Sequence, residues 1–264
     1  MKVRNLILAL AVAIGVAACT SVALTGRKQL LLVPDSEVLA MSAQSYTDFI
    51  KTAPLSTDKT SNELVKRVGS RIAAAVNAYM KGIGRESEVA NYAWEYNLVQ
   101  SDDVNAFCMP GGKIVVYTGI LPVTQNENGL AVVLGHEIAH AVARHSSEQM
   151  SQQILLQTGG SVLGGLIGKA SQGTQNVIGT LYGLGGQVGT LKFSRSHEYE
   201  ADHLGLIFMA MAGYDPNGAV TFWQRMAQQS NGAPIELLST HPSDANRIAE
   251  IQKYLPEALK YYKK

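Results

Sequence analysis

Cysteine is scarce in this 264-residue chain, which has only Cys19 and Cys108. Two thiols exclude a cross-linked scaffold, so stability must come from an apolar core or a bound metal. Charge is sparse as well. Charged residues make up 16%, and 22 Lys plus Arg against 21 Asp plus Glu leave a net charge of +1. That balance gives no electrostatic footprint for nucleic acid. There is no block of like charge to mark an interaction tail. A membrane-spanning run is also missing. The N-terminal apolar stretch Leu6–Val16 is too short to cross a bilayer. What the chain does have is 46% hydrophobic residues, enough to bury a sizeable core.

The N-terminus carries a secretory pattern. Lys2 and Arg4 precede the apolar run, and the small residues Val16-Ala17-Ala18 lead to Cys19. This order resembles a bacterial lipoprotein signal. The resemblance implies that residues 1–18 are a cleaved signal peptide and that Cys19 is lipidated. Residues 19–34 are then expected to tether the rest to a membrane surface. Thr20 stands where an inner-membrane retention signal would have Asp, so the expected location is the cell envelope, at the outer membrane facing the periplasm. Cys108 has no Cys or His close to it in sequence and is expected to be a small buried hydrophobe.

Residues 35–264 read as one domain of α+β class, mostly helical. Pro34-Asp35-Ser36 starts a helix to about Ile50. Thr60-Ser61-Asn62-Glu63 is a capping box, followed by a helix with Leu64, Val68, Ile72, Ala75 and Tyr79 on one face. Trp94–Leu98 alternates like a half-buried strand, and Lys113–Thr118 is a β-branched strand after the turn Pro110-Gly111-Gly112. The pair is expected to be antiparallel. A second capping box, Thr124–Glu127, opens a helix expected from Asn126 to Gln157. Gly159–Gly189 is rich in glycine with a single charge, Lys169, and is expected to form close-packed helices with a mobile end. Further helices are expected near 196–212, 216–230 and 242–259. Phe222 and Trp223 are expected in the core.

The chemistry lies in His136-Glu137-Ile138-Ala139-His140. Histidines at i and i+4 project from one face of a helix, so both rings can reach one ion. Glu137 is offset about 100° from His136 around the axis, which suits it to hold a water as general base rather than to share the ion. The flanks Leu130–Leu134 and Ala141-Val142 are apolar nearly all round, so this helix should be buried. Unpaired His and Glu would be costly there, and a zinc ion resolves the cost. A third protein ligand is needed, and the candidates lie in His197-Glu198-Tyr199-Glu200-Ala201-Asp202. Helical spacing puts Glu198 and Asp202 on one face, with Asp202 able to orient a ligand histidine. Spacing alone leaves Glu198, Glu200 and His197 all open.

The motif followed some sixty residues later by Glu-Tyr-Glu-Ala-Asp resembles the gluzincin metalloproteases of the HtpX and CAAX-prenyl-endopeptidase family. The nearest likeness is to its soluble BepA/LoiP-like bacterial branch. The resemblance also covers Asn105-Ala106-Phe107, Pro110-Gly111-Gly112, His241-Pro242 and Arg247-Ile248. It implies a zincin-like domain with a small sheet beside the motif helix. It also implies one zinc per chain, held by His136, His140 and Glu198. Glu137 would be the catalytic base, with His241 and Arg247 as candidate oxyanion donors. In related enzymes the residue matching His241 can instead block the metal.

The implied activity is a zinc-dependent endopeptidase of the cell envelope, acting in quality control on unfolded or misfolded proteins. Strand Lys113–Thr118 is expected beside the motif helix, with an edge that could pair with an extended peptide. Two rival readings are a non-catalytic assembly or chaperone-like binding protein on the same fold, and a zinc hydrolase of another substrate. Degenerate binding proteins would be expected to lose Glu137 or a ligand, and here each is present.

Overall fold

Apolar residues within 19–34 have a surface to cover, and they cover it. Cys19–Ser21 (β1) pairs antiparallel with Lys28–Leu30 (β2), and Val22 and Val33 are buried. The Leu32 amide donates to Ser151 Oγ at 2.9 Å. The stretch expected to be a tether contains a hairpin packed on the protein. The chain is seen as a computed structural model describing residues 19–158, 193–229, 237, 241 and 245–263. The expected signal peptide (1–18) and the glycine-rich segment 159–189 lie outside the described residues.

Asp35–Thr52 forms helix α1 and Lys59–Gly82 forms α2. The cap of α2 is Asp58, whose side chain accepts from the Thr60 amide, and not the capping box expected at Thr60. Asp58 is preferred because a carboxylate both caps and faces the positive end of the helix dipole. Val65, Val68, Ile72, Ala75, Val76 and Tyr79 line the buried face of α2.

Three strands follow, Glu95–Val99 (β3), Ala106–Met109 (β4) and Lys113–Tyr117 (β5), in the order β3-β5-β4. This corrects two expectations. The two strands read from sequence, β3 and β5, are parallel. The antiparallel partner of β5 is β4, across Pro110-Gly111-Gly112. Gly111 and Gly112 have φ of 87° and 82°, a left-handed pair that glycine adopts without strain. β4 escaped notice because it is buried on both faces and shows no alternation. The central strand is therefore β5, and β4 is the strand packed on the motif helix.

Glu127–Val142 is α3, capped by Asn126, which accepts from the Gly129 amide. Thr124 instead donates to the Leu121 carbonyl within a preceding single turn. Every residue of α3 from Gly129 to Val142 is buried. The helix does not run on to Gln157. Arg144 adopts φ 59° and breaks it, and His145–Thr158 forms a separate helix, α4. Arg144 is held there by Asp35 at 2.8 Å and Glu88 at 3.8 Å. The helices Arg195–Met211 (α5), Gly218–Gln229 (α6) and Ala245–Ala258 (α7) complete the described elements. α3 lies at the centre of the fold, packed most extensively on α5, with α2, α6 and β4 on its other sides. The fold is α+β and mostly helical, as the sequence indicates. Among the described residues no helix is long and apolar enough to cross a membrane.

Candidate metal centre

Two helices supply the centre and a backbone contact sets their spacing. Gly135, just before His136, lies against Gly205 of α5. With no side chain at either position, α5 comes close enough to deliver its first turn to the motif. Glu198 and Asp202, one helical turn apart on α5, then face the rings of His136 and His140.

Four buried donor atoms converge. His136 Nε2 is 3.0 Å from His140 Nε2 and 3.2 Å from His241 Nδ1. Glu198 lies 3.4 Å from His136 Nε2, 3.5 Å from His140 Nε2 and 3.1 Å from His241 Nδ1. Bonds of 2.0–2.1 Å to a tetrahedral zinc require ligand atoms about 3.3 Å apart. The spacing and the donor types, three imidazoles and a carboxylate, fit zinc. Without a cation at their centre, the bare lone pairs of such a cluster would repel one another in a buried setting.

The surrounding groups fix each donor. His136 Nδ1 lies 2.9 Å from Asp202 Oδ1, so the ring donates there and presents Nε2 to the cluster. Arg247, 1% exposed, grips Asp202 through Nε at 2.7 Å and Nη2 at 2.8 Å, and its Nη1 lies 3.0 Å from Glu198. Its guanidinium stacks 3.5 Å from the ring centroid of Trp223. Phe222 and Trp223 are core residues as expected, but Trp223 is also the wall on which Arg247 rests. Arg247 thus lies among the carboxylates behind the cluster.

Burial raises the Glu137 carboxyl pKa. Its Oε1 is buried with no hydrogen-bond partner and lies 3.6 Å from His241 Nε2. An unpaired buried carboxylate oxygen is a site for a water or a substrate proton. Burial also pulls the Glu198 pKa up, but His241 and Arg247 outweigh it and hold the carboxylate well below its usual range. Burial and the neighbouring His136 push His140 well below its usual value, so it stays neutral, as a ligand must. For His136, burial and Arg247 push down while Asp202 and Glu198 push up, and the result is about 9. A metal entering there displaces a proton.

The two other residues left open by spacing are turned away. Glu200 Oε2 lies 2.9 Å from His145 Nε2, and His197 Nε2 lies 3.2 Å from Glu148. His145 escaped the sequence reading because a continuous helix would carry it off the face of His140. The break at Arg144 brings it back, with its Nδ1 2.8 Å from His140 Nδ1.

The pattern of Peptidase family M48 matches residues 60–255. The chain belongs to this family. Its members are zinc-dependent metalloproteases, and the cluster of His136, His140, Glu198 and His241 has the donors for that ion. A protein named mitochondrial metalloendopeptidase OMA1 from Schizosaccharomyces pombe is 40% identical over 69% of this chain and 53% of its own length. A β-barrel assembly-enhancing protease from Yersinia pestis is 32% identical over 75% of this chain and 40% of its own. Human metalloendopeptidase OMA1, mitochondrial, is 29% identical over 90% of this chain and 46% of its own. The chain spans about half the length of these relatives, or less.

Proposed function

We propose that this chain is a zinc-dependent endopeptidase that hydrolyses peptide bonds in unfolded or misfolded proteins of the cell envelope. The observation that carries it is the convergence of His136, His140 and Glu198 from two helices, with Glu137 Oε1 buried beside them without a hydrogen-bond partner. Zinc, when bound, polarises a peptide carbonyl and makes water acidic near neutral pH. Glu137 Oε1 accepts the proton of the attacking water and passes it to the leaving amine. Burial favours this, since a raised pKa suits a group that must take and return a proton. Asp202 fixes the His136 ring, and Arg247 holds Asp202 and Glu198 by its ion pairs, so its role is positioning rather than oxyanion donation.

His241 Nδ1 lies among the ligand atoms, at the corner that a catalytic zinc keeps open. We assign it a guarding role: it covers the fourth corner until substrate displaces it. Replacing it should change the accessibility of the site without removing the three other donors.

An extended peptide would pair along the outer edge of β4, which borders α3, and not along β5. The outer edge of β3 is already met by residues 54–56, through Ser56 to Leu98 and Gln100 to Pro54. Backbone pairing ignores side chains, which supports unfolded segments as substrates.

Lipidation at Cys19 and a periplasmic outer-membrane location rest on the N-terminal sequence. Mass spectrometry of the mature N-terminus tests the anchor. The activity is tested by incubating an unfolded protein with wild type, Glu137→Gln and chelator-treated enzyme. Cleavage by the wild type alone is expected, and equal digestion in all three samples rules the peptidase reading out.

A further inference from the structure

His140 offers Nε2 to the metal cluster, so its Nδ1 must find another partner. That partner is His145 Nδ1, at 2.8 Å. Two imidazole nitrogens at this distance form a hydrogen bond only if one carries the proton and the other is bare. A neutral His140 that binds metal through Nε2 carries its proton on Nδ1. His145 must then be bare at Nδ1 and protonated at Nε2. Its Nε2 faces Glu200 Oε2 at 2.9 Å, an acceptor, so Glu200 selects that tautomer.

Glu200 is in turn fixed from the N-terminal hairpin. Arg27, just ahead of β2, donates from Nε to Glu200 Oε2 at 2.7 Å, and the Thr25 hydroxyl bonds to Glu200 Oε1. The same guanidinium grips Glu148 of α4 in a two-point pair, Nη1 to Oε1 at 2.9 Å and Nη2 to Oε2 at 2.7 Å. A fork held on two carboxylates has one orientation, and so does the Glu200 carboxylate beneath it. His145, Glu148 and Glu200 are all buried.

We propose that Arg27, Glu200 and His145 form a positioning relay that sets the tautomer and orientation of His140, making the N-terminal hairpin part of the metal centre. Arg27 lies outside residues 60–255, the span that the family pattern matches. Ties of this kind typically raise metal affinity by about 10–100-fold. The relay gives the N-terminal arm a lever on zinc retention, since any event that lifts the hairpin releases Glu200. The inference rests on the proposed ligation by His136, His140 and Glu198.

The test measures zinc affinity of the purified full chain against a chromophoric chelator, alongside ring nitrogen shifts of ¹⁵N-histidine-labelled, zinc-loaded protein. The chain has six histidines, few enough to assign. Wild type should show His145 with Nε2–H and a bare Nδ1. Arg27→Gln should weaken zinc binding by about tenfold and His145→Ala by about 10–100-fold. His145→Gln, whose carbonyl can accept from His140, should recover most of the loss, which a purely space-filling role would not produce. A proton on His145 Nδ1 in the wild type overturns the relay even if a variant fails to fold. Unchanged zinc affinity in folded Arg27→Gln and His145→Ala overturns it as well. His136→Ala is the control: if it keeps full zinc affinity, the ligand assignment itself is wrong. If it loses zinc while the relay variants do not, only the relay is wrong.

Discussion

Gly135 and Gly205 meet where α3 crosses α5. A Cβ on Gly205 would stand 2.9 Å from the His136 backbone nitrogen, and a Cβ on Gly135 would stand 2.8 Å from the Gly205 carbonyl oxygen. Both are closer than side chains approach backbone, so the crossing distance belongs to glycine. That distance sets how far Glu198 reaches toward His136 and His140.

Gly205→Ala should therefore damage the site as well as the core. The added methyl meets backbone, which cannot give way locally, and the expected cost is about 1–3 kcal/mol. Urea denaturation should show the loss, and zinc affinity should fall with it. A variant of full stability and full zinc affinity would mean the helices can slide apart freely.

Glu137→Gln removes the proton acceptor and leaves every metal donor in position. Hydrolysis of an unfolded protein should fall by about 10²–10⁴-fold. Zinc content, measured by mass spectrometry of the metal, should stay at one per chain. Loss of the metal together with the activity would assign Glu137 a structural role.

Arg247 balances two buried carboxylates, Glu198 and Asp202. Arg247→Met would leave both without their cation, at an expected cost of about 3–5 kcal/mol in folding stability. Arg247→Lys should recover only part of this, because a single ammonium cannot bridge both groups and stack flat on Trp223. The midpoints of chemical denaturation rank the three proteins, and equal midpoints would contradict the ion-pair account.

Glu148 gives the fold an acid limit. Burial pulls its pKa up, but His197 and Arg27 outweigh burial and bring it from 4.5 to about 2. A depressed folded-state pKa stabilises above the unfolded value and is lost as pH falls through the folded one. The gap in melting temperature between wild type and Glu148→Gln should thus be full above about 4.5 and should close as pH approaches 2. Melting curves across that range test it, and a gap that stays constant with pH would exclude the carboxylate as its source.

Much of the centre is readable along the chain because its geometry is local. His136 and His140 share a helix face by their spacing, and Glu198 and Asp202 do so by theirs. The misreadings fall where local pattern gives way to packing. Arg144 looks like any surface residue of a long helix, yet its left-handed φ ends α3 and turns His145 under His140. Helical spacing turns Glu200 away from the face of Glu198, two positions before it, and only the hairpin in front of it shows that it serves Arg27 and His145. β4 has no alternation because both its faces are buried, so its pairing with β5 was hidden.

The sequence by itself determined the helix carrying the two histidines, its burial, the place of Glu137 between them and the shared face of Glu198 and Asp202 downstream, since each follows from 3.6-residue periodicity and apolar flanks. Only the tertiary structure decided the rest. It settled the parallel pairing of β3 with β5, the seat of Arg247 on Trp223, and the reach of Arg27 from the N-terminal hairpin to Glu148 and Glu200. Those contacts join separate elements, Arg27 reaching Glu200 and Glu148 from more than a hundred positions away and Arg247 reaching Trp223 from another helix, or reverse a strand direction. Periodicity carries no record of either, because it reports which face of an element is buried and not what lies against it.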